Sequence, residues 1–334
     1  MSPNSSPRPH SVRNTSWYAF ILVFTIWCGA VHAEKQALEK STQDIQSLKI
    51  LTIGNSFADS VFGDLKRIVK SAPDCKIVMG RANLGGHSLQ QHWEKVEKSE
   101  EDPTYKPYNR GKQNLKEMLQ KERWDIVTLQ QVSSRSFKPE SYEPYFGNLY
   151  AYVQKYAPQA EIVIQMTWSY RPDHHAFPEW GVSDPADMYQ KLYSAYTDIA
   201  ARYHCRLIPS GMAVHLARQQ QTTAFALDER ELASFDYPQK PDEPKGSFIG
   251  RYFWKKDKEG TQRLHTDKIH LNPRGRYLQA CVWFATLFDR PASDVTYVPD
   301  WMAPEEGQFL RVVAQQAVDT IKQEQASLAA KVDR

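Results

Sequence analysis

The stretch Lys49-Ile50-Leu51-Thr52-Ile53-Gly54-Asn55-Ser56-Phe57 is a short apolar run that ends in glycine and serine. It reads as a strand buried on both faces, with a turn at its end leading into a helix. Four more segments have the same character: Lys76–Gly80, Asp125–Gln130, Glu161–Thr167 and Cys205–Ile208. Helical patterns lie between them, at about 59–71, 88–98, 111–121, 142–156 and 186–202. Another starts at Pro273, a residue that suits a first helical turn, and runs to about Phe288. Strands alternating with helices predict an α/β fold, a doubly wound parallel sheet covered on both faces. In such sheets ligands sit at the carboxyl ends of the strands, and Ser56 stands at the end of the first.

A serine hydroxyl is a weak nucleophile and needs a base, an orienter for that base and donors for an oxyanion. The chain supplies a base and an orienter in Asp267-Lys268-Ile269-His270, about two hundred residues after Ser56. A spacing of three can aim both side chains into one crevice. His270 would take the Ser56 proton through one ring nitrogen, while Asp267 accepts from the other or holds the local turn. Backbone N–H groups where the helix after Ser56 begins would point at developing negative charge.

The neighbouring strand ends carry two further signals. Gly85-Gly86 follows the second strand, and a glycine pair lets backbone approach a substrate and expose an N–H. Leu129-Gln130-Gln131 ends the third, where a side-chain amide can donate to an oxyanion. Candidate pocket residues are His87, His92-Trp93, and Trp168 and Tyr170 after the fourth strand, whose rings can stack on a sugar. Arg171 beside them can bind a carboxylate. His174-His175 has no H-E-x-x-H pattern or carboxylate at ligand spacing, so no metal is expected. The glycines show no dinucleotide or phosphate-cradling pattern, so no cofactor is expected either.

Taken together, Gly54-Asn55-Ser56-Phe57, Gly85-Gly86, Leu129-Gln130-Gln131 and Asp267-x-x-His270 resemble the sequence blocks of the SGNH (GDSL-like) hydrolases. The likeness covers about residues 48–290. It is similar in more detail to a bacterial branch with Gly85-Gly86-x-Ser88-Leu89-x-x-His92-Trp93 and His270-Leu271-x-x-x-Gly275-Arg276-Tyr277-Leu278 motifs. The resemblance implies a flavodoxin-like three-layer α/β/α sandwich with a five-stranded parallel sheet, and metal-free ester hydrolysis. Carried over by position, Ser56 is the nucleophile, His270 the base and Asp267 the third member. The N–H groups of Ser56 and of Gly85 or Gly86 donate to the oxyanion. Two positions depart from the family pattern. Asn55 replaces the usual Asp, and Gln130 or Gln131, slightly favouring Gln131, stands nearest the usual third-block Asn. Ser133 or Ser134 is the alternative there.

The remainder of the 334-residue chain bounds these readings. Residues 1–33 read as an export signal: Arg8 and Arg13, an apolar run from Trp17 to Val31, and Val31-His32-Ala33 as a small-residue cleavage site. Cleavage near Ala33 predicts a periplasmic or extracellular protein with no stable membrane span. Without that segment 40 basic residues face 39 acidic ones, which gives no reason to expect nucleic acid as a partner. Cys75, Cys205 and Cys281 are widely spaced and read as free, buried thiols. Residues 34–47 read as a short tether and 48–290 as the hydrolase domain. Within it, 221–266 is a long loop or small excursion. Residues 291–334 form an extension whose helix, from Pro304, carries Leu310, Val313, Ala317 and Ile321 on one stripe.

The expected activity is therefore removal of a small acyl group, acetyl above all, from a small-molecule or glycan ester. The alternatives are a non-catalytic glycan-binding module on the same fold, which a wide Ser56–His270 separation would favour, and a lipase or thioesterase.

Overall fold

The computed structural model describes residues 45–332 apart from 229 and 231. The expected export signal and most of the tether fall outside the described residues. Five parallel strands form the central sheet: β1 Gln46–Gly54, β2 Cys75–Asn83, β3 Ile126–Leu129, β4 Glu161–Gln165 and β5 Arg206–Ile208. All five are parallel, as the α/β reading predicts, in the order β2-β1-β3-β4-β5. Ile50, Leu51, Thr52 and Ile53 are wholly buried, which is what a strand covered on both faces requires. β1 begins three residues earlier than its apolar run, so Gln46 and Ser47 belong to the sheet rather than to a tether.

The helices are α1 Ser56–Asp59, α2 Phe62–Ser71, α3 Leu89–Glu101, α4 Leu115–Gln120, α5 Tyr145–Tyr156, α6 Pro185–Arg202, α7 Ser210–Gln220, α8 Pro273–Leu287 and α9 Pro304–Val332. The pattern expected over 59–71 is two helices, because the chain bends at Ser60 and Val61. α7 was not anticipated. Its apolar residues Met212, Ala213, Val214 and Ala217 are few and small, so its period is faint. α8 is buried on nearly every side and packs against α2, α7 and α9, while α3 and α4 pack on α5. The three cysteines are free and buried.

Residues 221–266 are not wholly loop. β6 Ile249–Lys256 and β7 Gln262–Leu271 form an antiparallel ribbon separate from the main sheet. Its alternation was hidden by lysines and aromatics, which are compatible with one exposed face and one packed face. The pairing Ile249↔Leu271 and Arg251↔Asp267 spans one residue on β6 but three on β7. Lys268, Ile269 and His270 therefore bulge out of the ribbon opposite Gly250. Bulges re-aim side chains in this way and gather beside functional sites.

The strand order reverses at β1, with β2 on one side and β3 on the other. This is the switch point at which an open α/β sheet leaves a crevice beyond its carboxyl edge. Ser56 opens α1 directly after β1, and β7 brings its bulge to the same edge, since Arg171, just past β4, donates its N–H to the Lys268 carbonyl at 3.1 Å.

Candidate active site

The turn from β1 into α1 is fixed atom by atom. Asn55 caps the helix: its Oδ1 accepts from the Phe57 N–H at 3.0 Å, and its Nδ2 donates to the His87 carbonyl at 3.0 Å. One buried side chain thereby ties the serine turn to the turn after β2. An aspartate there would accept but not donate. The Asn55 N–H donates to Gln130 Oε1 at 3.2 Å. A Cβ on Gly54 would stand 2.7 Å from that oxygen, so any larger residue there would push the Gln130 amide off this N–H.

Two carbonyls flanking Ser56 are also held. The Gly54 carbonyl accepts from the Leu84 N–H at 3.0 Å and meets His92 Nε2 at 2.8 Å. A carbonyl can only accept, so Nε2 carries the proton and Nδ1 accepts from the Tyr108 hydroxyl at 2.8 Å. His92 is wholly buried, and that burial pushes its pKa down to about 4, so it is neutral at pH 7. The Phe57 carbonyl accepts from Gln165 at 3.3 Å and Gln279 at 3.2 Å. Sequence reading placed His92 only as a possible pocket residue and did not single out Gln165 or Gln279. Nothing local distinguishes a helix or strand glutamine that will point at another turn.

Ser56 Oγ lies 2.8 Å from His270 Nε2, and His270 Nδ1 lies 2.8 Å from Asp267 Oδ2. Asp267 Oδ1 accepts from the N–H groups of Ile269 and His270 at 2.9 and 3.0 Å. Burial works against the charge on Asp267, but the His270 ring and these two N–H groups outweigh it and hold the pKa at about 2. The carboxylate is 11% exposed and the imidazole 37%, so a molecule arriving from solvent reaches His270 before Asp267. The three groups predicted from the sequence meet in one hydrogen-bonded line.

The bulge that carries His270 is anchored from the sheet. The Trp168 indole donates to the Ile269 carbonyl at 2.8 Å, beside the backbone bond from Arg171 to Lys268. Lys268 in turn pairs with Asp173 at 3.0 Å. Opposite the bulge Gly250 adopts φ +100, and a Cβ there would meet the Asp267 carbonyl at 2.5 Å.

Several predicted residues serve otherwise than expected. Gln130 and Gln131 are buried with their amides committed. Gln130 Nε2 donates to the Gln131 carbonyl, and Gln131 Nε2 to the Ser141 carbonyl at 2.8 Å. Both side chains are turned into the protein, away from the solvent-open turn at Gly85 and Gly86. Ser133 bonds the Tyr170 hydroxyl at 2.7 Å. Trp168 and Tyr170 are buried and cannot offer a face to a sugar; Trp168 stacks on Phe57 with centroids 4.3 Å apart. A serine helix whose second residue is a large aromatic needs such a wall, and sequence alone could not tell wall from platform. Arg171 is likewise buried and pairs with Asp173 through two bonds at 2.6 and 2.8 Å. His174 packs on the rings of Tyr170 and Trp180.

Gly85 and Gly86 are exposed, with open space where a Cβ would stand, and Gly86 has φ +69. The N–H groups of Ser56, Gly85 and Gly86 donate to no protein group among the described residues. His87 is partly buried and its Nδ1 lies 3.0 Å from the Gly85 carbonyl. The turn thus presents backbone donors at the strand edge where Ser56 begins its helix.

The family described as "Domain of unknown function (DUF4886)" matches residues 49–235, more than half of the chain. No curated protein matches it. Among solved structures, a DUF4886 family protein from Bacteroides uniformis ATCC 8492 is similar, with TM-score 0.63 and 22% identity over 82% of this chain and 95% of that one. A protein from Slackia heliotrinireducens proposed to be an SGNH hydrolase matches at TM-score 0.44 and 19% identity, over 72% of this chain and 100% of that one. An acetyl xylan esterase matches at TM-score 0.40 and 13% identity, over 71% and 98%. At these identities the likeness concerns the fold alone.

Proposed function

We propose that this chain, which belongs to the DUF4886 family, is a serine esterase of the SGNH type that removes a small acyl group, acetyl above all, from a glycan or similar ester. The observation that carries the reading is the unbroken line from Ser56 Oγ through His270 to Asp267, with both links at 2.8 Å. A binding module has no need of that line.

In this reading His270 Nε2 takes the Ser56 proton as Oγ bonds to the ester carbonyl carbon. The carbonyl oxygen, now negative, receives the N–H of Ser56 and that of Gly85 or Gly86. Expulsion of the alcohol breaks the ester bond, and the alcohol leaves with the proton returned by His270. Water then repeats the sequence on the acyl-serine: His270 takes its proton, the acid departs and Ser56 recovers its hydrogen. Asp267, ionised throughout, keeps Nδ1 protonated and steadies the imidazolium in between. The oxyanion site in this reading is made of backbone, since Gln130 and Gln131 are buried and bond the carbonyls of Gln131 and Ser141. Export through residues 1–33 is part of the proposal and rests on the sequence.

The test is turnover of p-nitrophenyl acetate together with labelling by a fluorophosphonate. We expect the label on Ser56 and loss of both signals in Ser56→Ala. Turnover unchanged in that variant would end the reading.

A further inference from the structure

We propose that the outer face of the β6–β7 ribbon binds the carboxylates of an acidic glycan whose ester is brought to Ser56, with Arg251 and Lys255 selecting for that charge. The proposal rests on the serine-esterase reading and adds a substrate class to it.

In an antiparallel ribbon, paired residues leave the same face and alternate residues share it. Arg251 pairs with Asp267, Phe253 with His265 and Lys255 with Arg263. These six side chains make one face. The other carries Tyr252, Trp254, Leu264 and Thr266. Tyr252 is buried and the Trp254 indole donates to the Gln239 carbonyl at 2.9 Å, so that face is turned to the body. On the first face Arg251, Lys255, Arg263 and His265 are exposed. The face is therefore solvent-open along these four residues, and it ends at the Arg251–Asp267 pair, three residues before the more exposed His270.

The chemistry of the strip is specific. Phe253 stacks on His265 with centroids 5.6 Å apart, and the Arg251 guanidinium lies 5.5 Å from the Phe253 ring. A ring pair of this kind can bear the apolar face of a sugar. Arg263 is paired with Asp257 at 2.7 Å, whereas Arg251 and Lys255 have no ion pair among the described residues. Nor have Lys256 and Lys258 near the ribbon tip. The chain as a whole carries only +3, so the positive strip is a local feature and not a reflection of bulk charge. A neutral sugar would use the rings and leave both cations idle. An oligomer of sugar acids, with carboxylates on successive rings, can use both, and a guanidinium matches a carboxylate through paired hydrogen bonds.

The test is titration calorimetry on full-length Ser56→Ala protein with O-acetylated oligomers of galacturonic acid and with the same oligomers methyl-esterified at their carboxyls. We expect about ten-fold tighter binding of the acidic oligomer or more, a difference that shrinks as added salt screens it. The preference should vanish in Arg251→Gln/Lys255→Gln and persist in Arg251→Lys. The same ratio should appear in kcat/KM for acetate release by the wild-type protein. Equal binding of the two oligomers, or a single-stranded oligonucleotide binding as tightly as the acidic one, would overturn the proposal. Either result leaves the esterase reading standing if p-nitrophenyl acetate is still turned over and Ser56 still takes the fluorophosphonate. Absence of those two signals would instead remove the reading beneath it.

Discussion

Asp267 holds His270 by two routes at once: Oδ2 lies 2.8 Å from the imidazole Nδ1, and Oδ1 accepts the backbone N–H of His270 at 3.0 Å. The same carboxylate sets the tautomer of the ring and the shape of the bulge that carries it. An amide at this position could still accept, but its other half would present N–H to N–H. Asp267→Asn should therefore lower kcat by about 10²- to 10⁴-fold, the range in which loss of a triad carboxylate falls. Steady-state kinetics with p-nitrophenyl acetate would check this, and a loss below ten-fold would mean that the carboxylate does not steady an imidazolium.

The glycine across from the bulge makes a second prediction. Gly250 sits at φ +100 with no room for a Cβ beside the Asp267 carbonyl. Gly250→Ala should cost about 1–3 kcal/mol in backbone strain and lower kcat through displacement of Asp267. Urea denaturation and turnover should both respond. Wild-type kinetics in this variant would show that the bulge tolerates movement.

Asn55 is predicted to be needed as an amide. Asn55→Asp keeps the helix cap but leaves the His87 carbonyl facing an oxygen, a loss of about 1–3 kcal/mol at pH 7 for a buried pair. The deficit relative to wild type should narrow as the pH falls and the new carboxyl gains a proton to donate. A constant deficit across pH would place the damage elsewhere.

His92 gives a pH prediction. Its folded pKa is lowered from 6.5 to about 4, so between those values the unfolded chain binds more protons than the folded one. Stability from this group is complete above pH 6.5 and is lost as pH falls toward 4. His174, also held at about 4 by burial, acts in the same window. His92→Gln should flatten the stability profile there relative to wild type, by at most about 1.4 kcal/mol per pH unit. Asp267 acts lower, its contribution being present above 3.8 and lost as pH falls toward 2.

The sheet was legible because each strand is a dense apolar run such as Ile50–Ile53, whose period needs no knowledge of its neighbours. Ser56, Asp267 and His270 were legible only as a combination: a turn serine or an Asp-x-x-His alone is an ordinary cap or turn, but the two in this order on an α/β frame, beside the glycine and glutamine pairs, are not. The rest depended on distance contacts. Gln130 has the right type for an oxyanion donor, but its amide is taken by the Gln131 carbonyl, a partner that only the folded turn creates. Trp168 and Tyr170 looked like a sugar platform until Phe57 and Ser133 closed over them. The ribbon was hidden because Lys255, Lys256 and Lys258 read as a loop, although strand pairing holds the first two.

The fastening of Lys268 and Ile269 to Arg171 and Trp168 separates two jobs along one hairpin. Everything inboard of Gly250 is tied to the sheet and keeps the imidazole in place. Outboard of it, Arg251, Lys255, Arg263 and His265 face solvent and can change in charge without touching those fastenings. The hairpin's exposed face and its fastened base are thus free to diverge separately: one can be rewritten while the other keeps the Ser56–His270–Asp267 line.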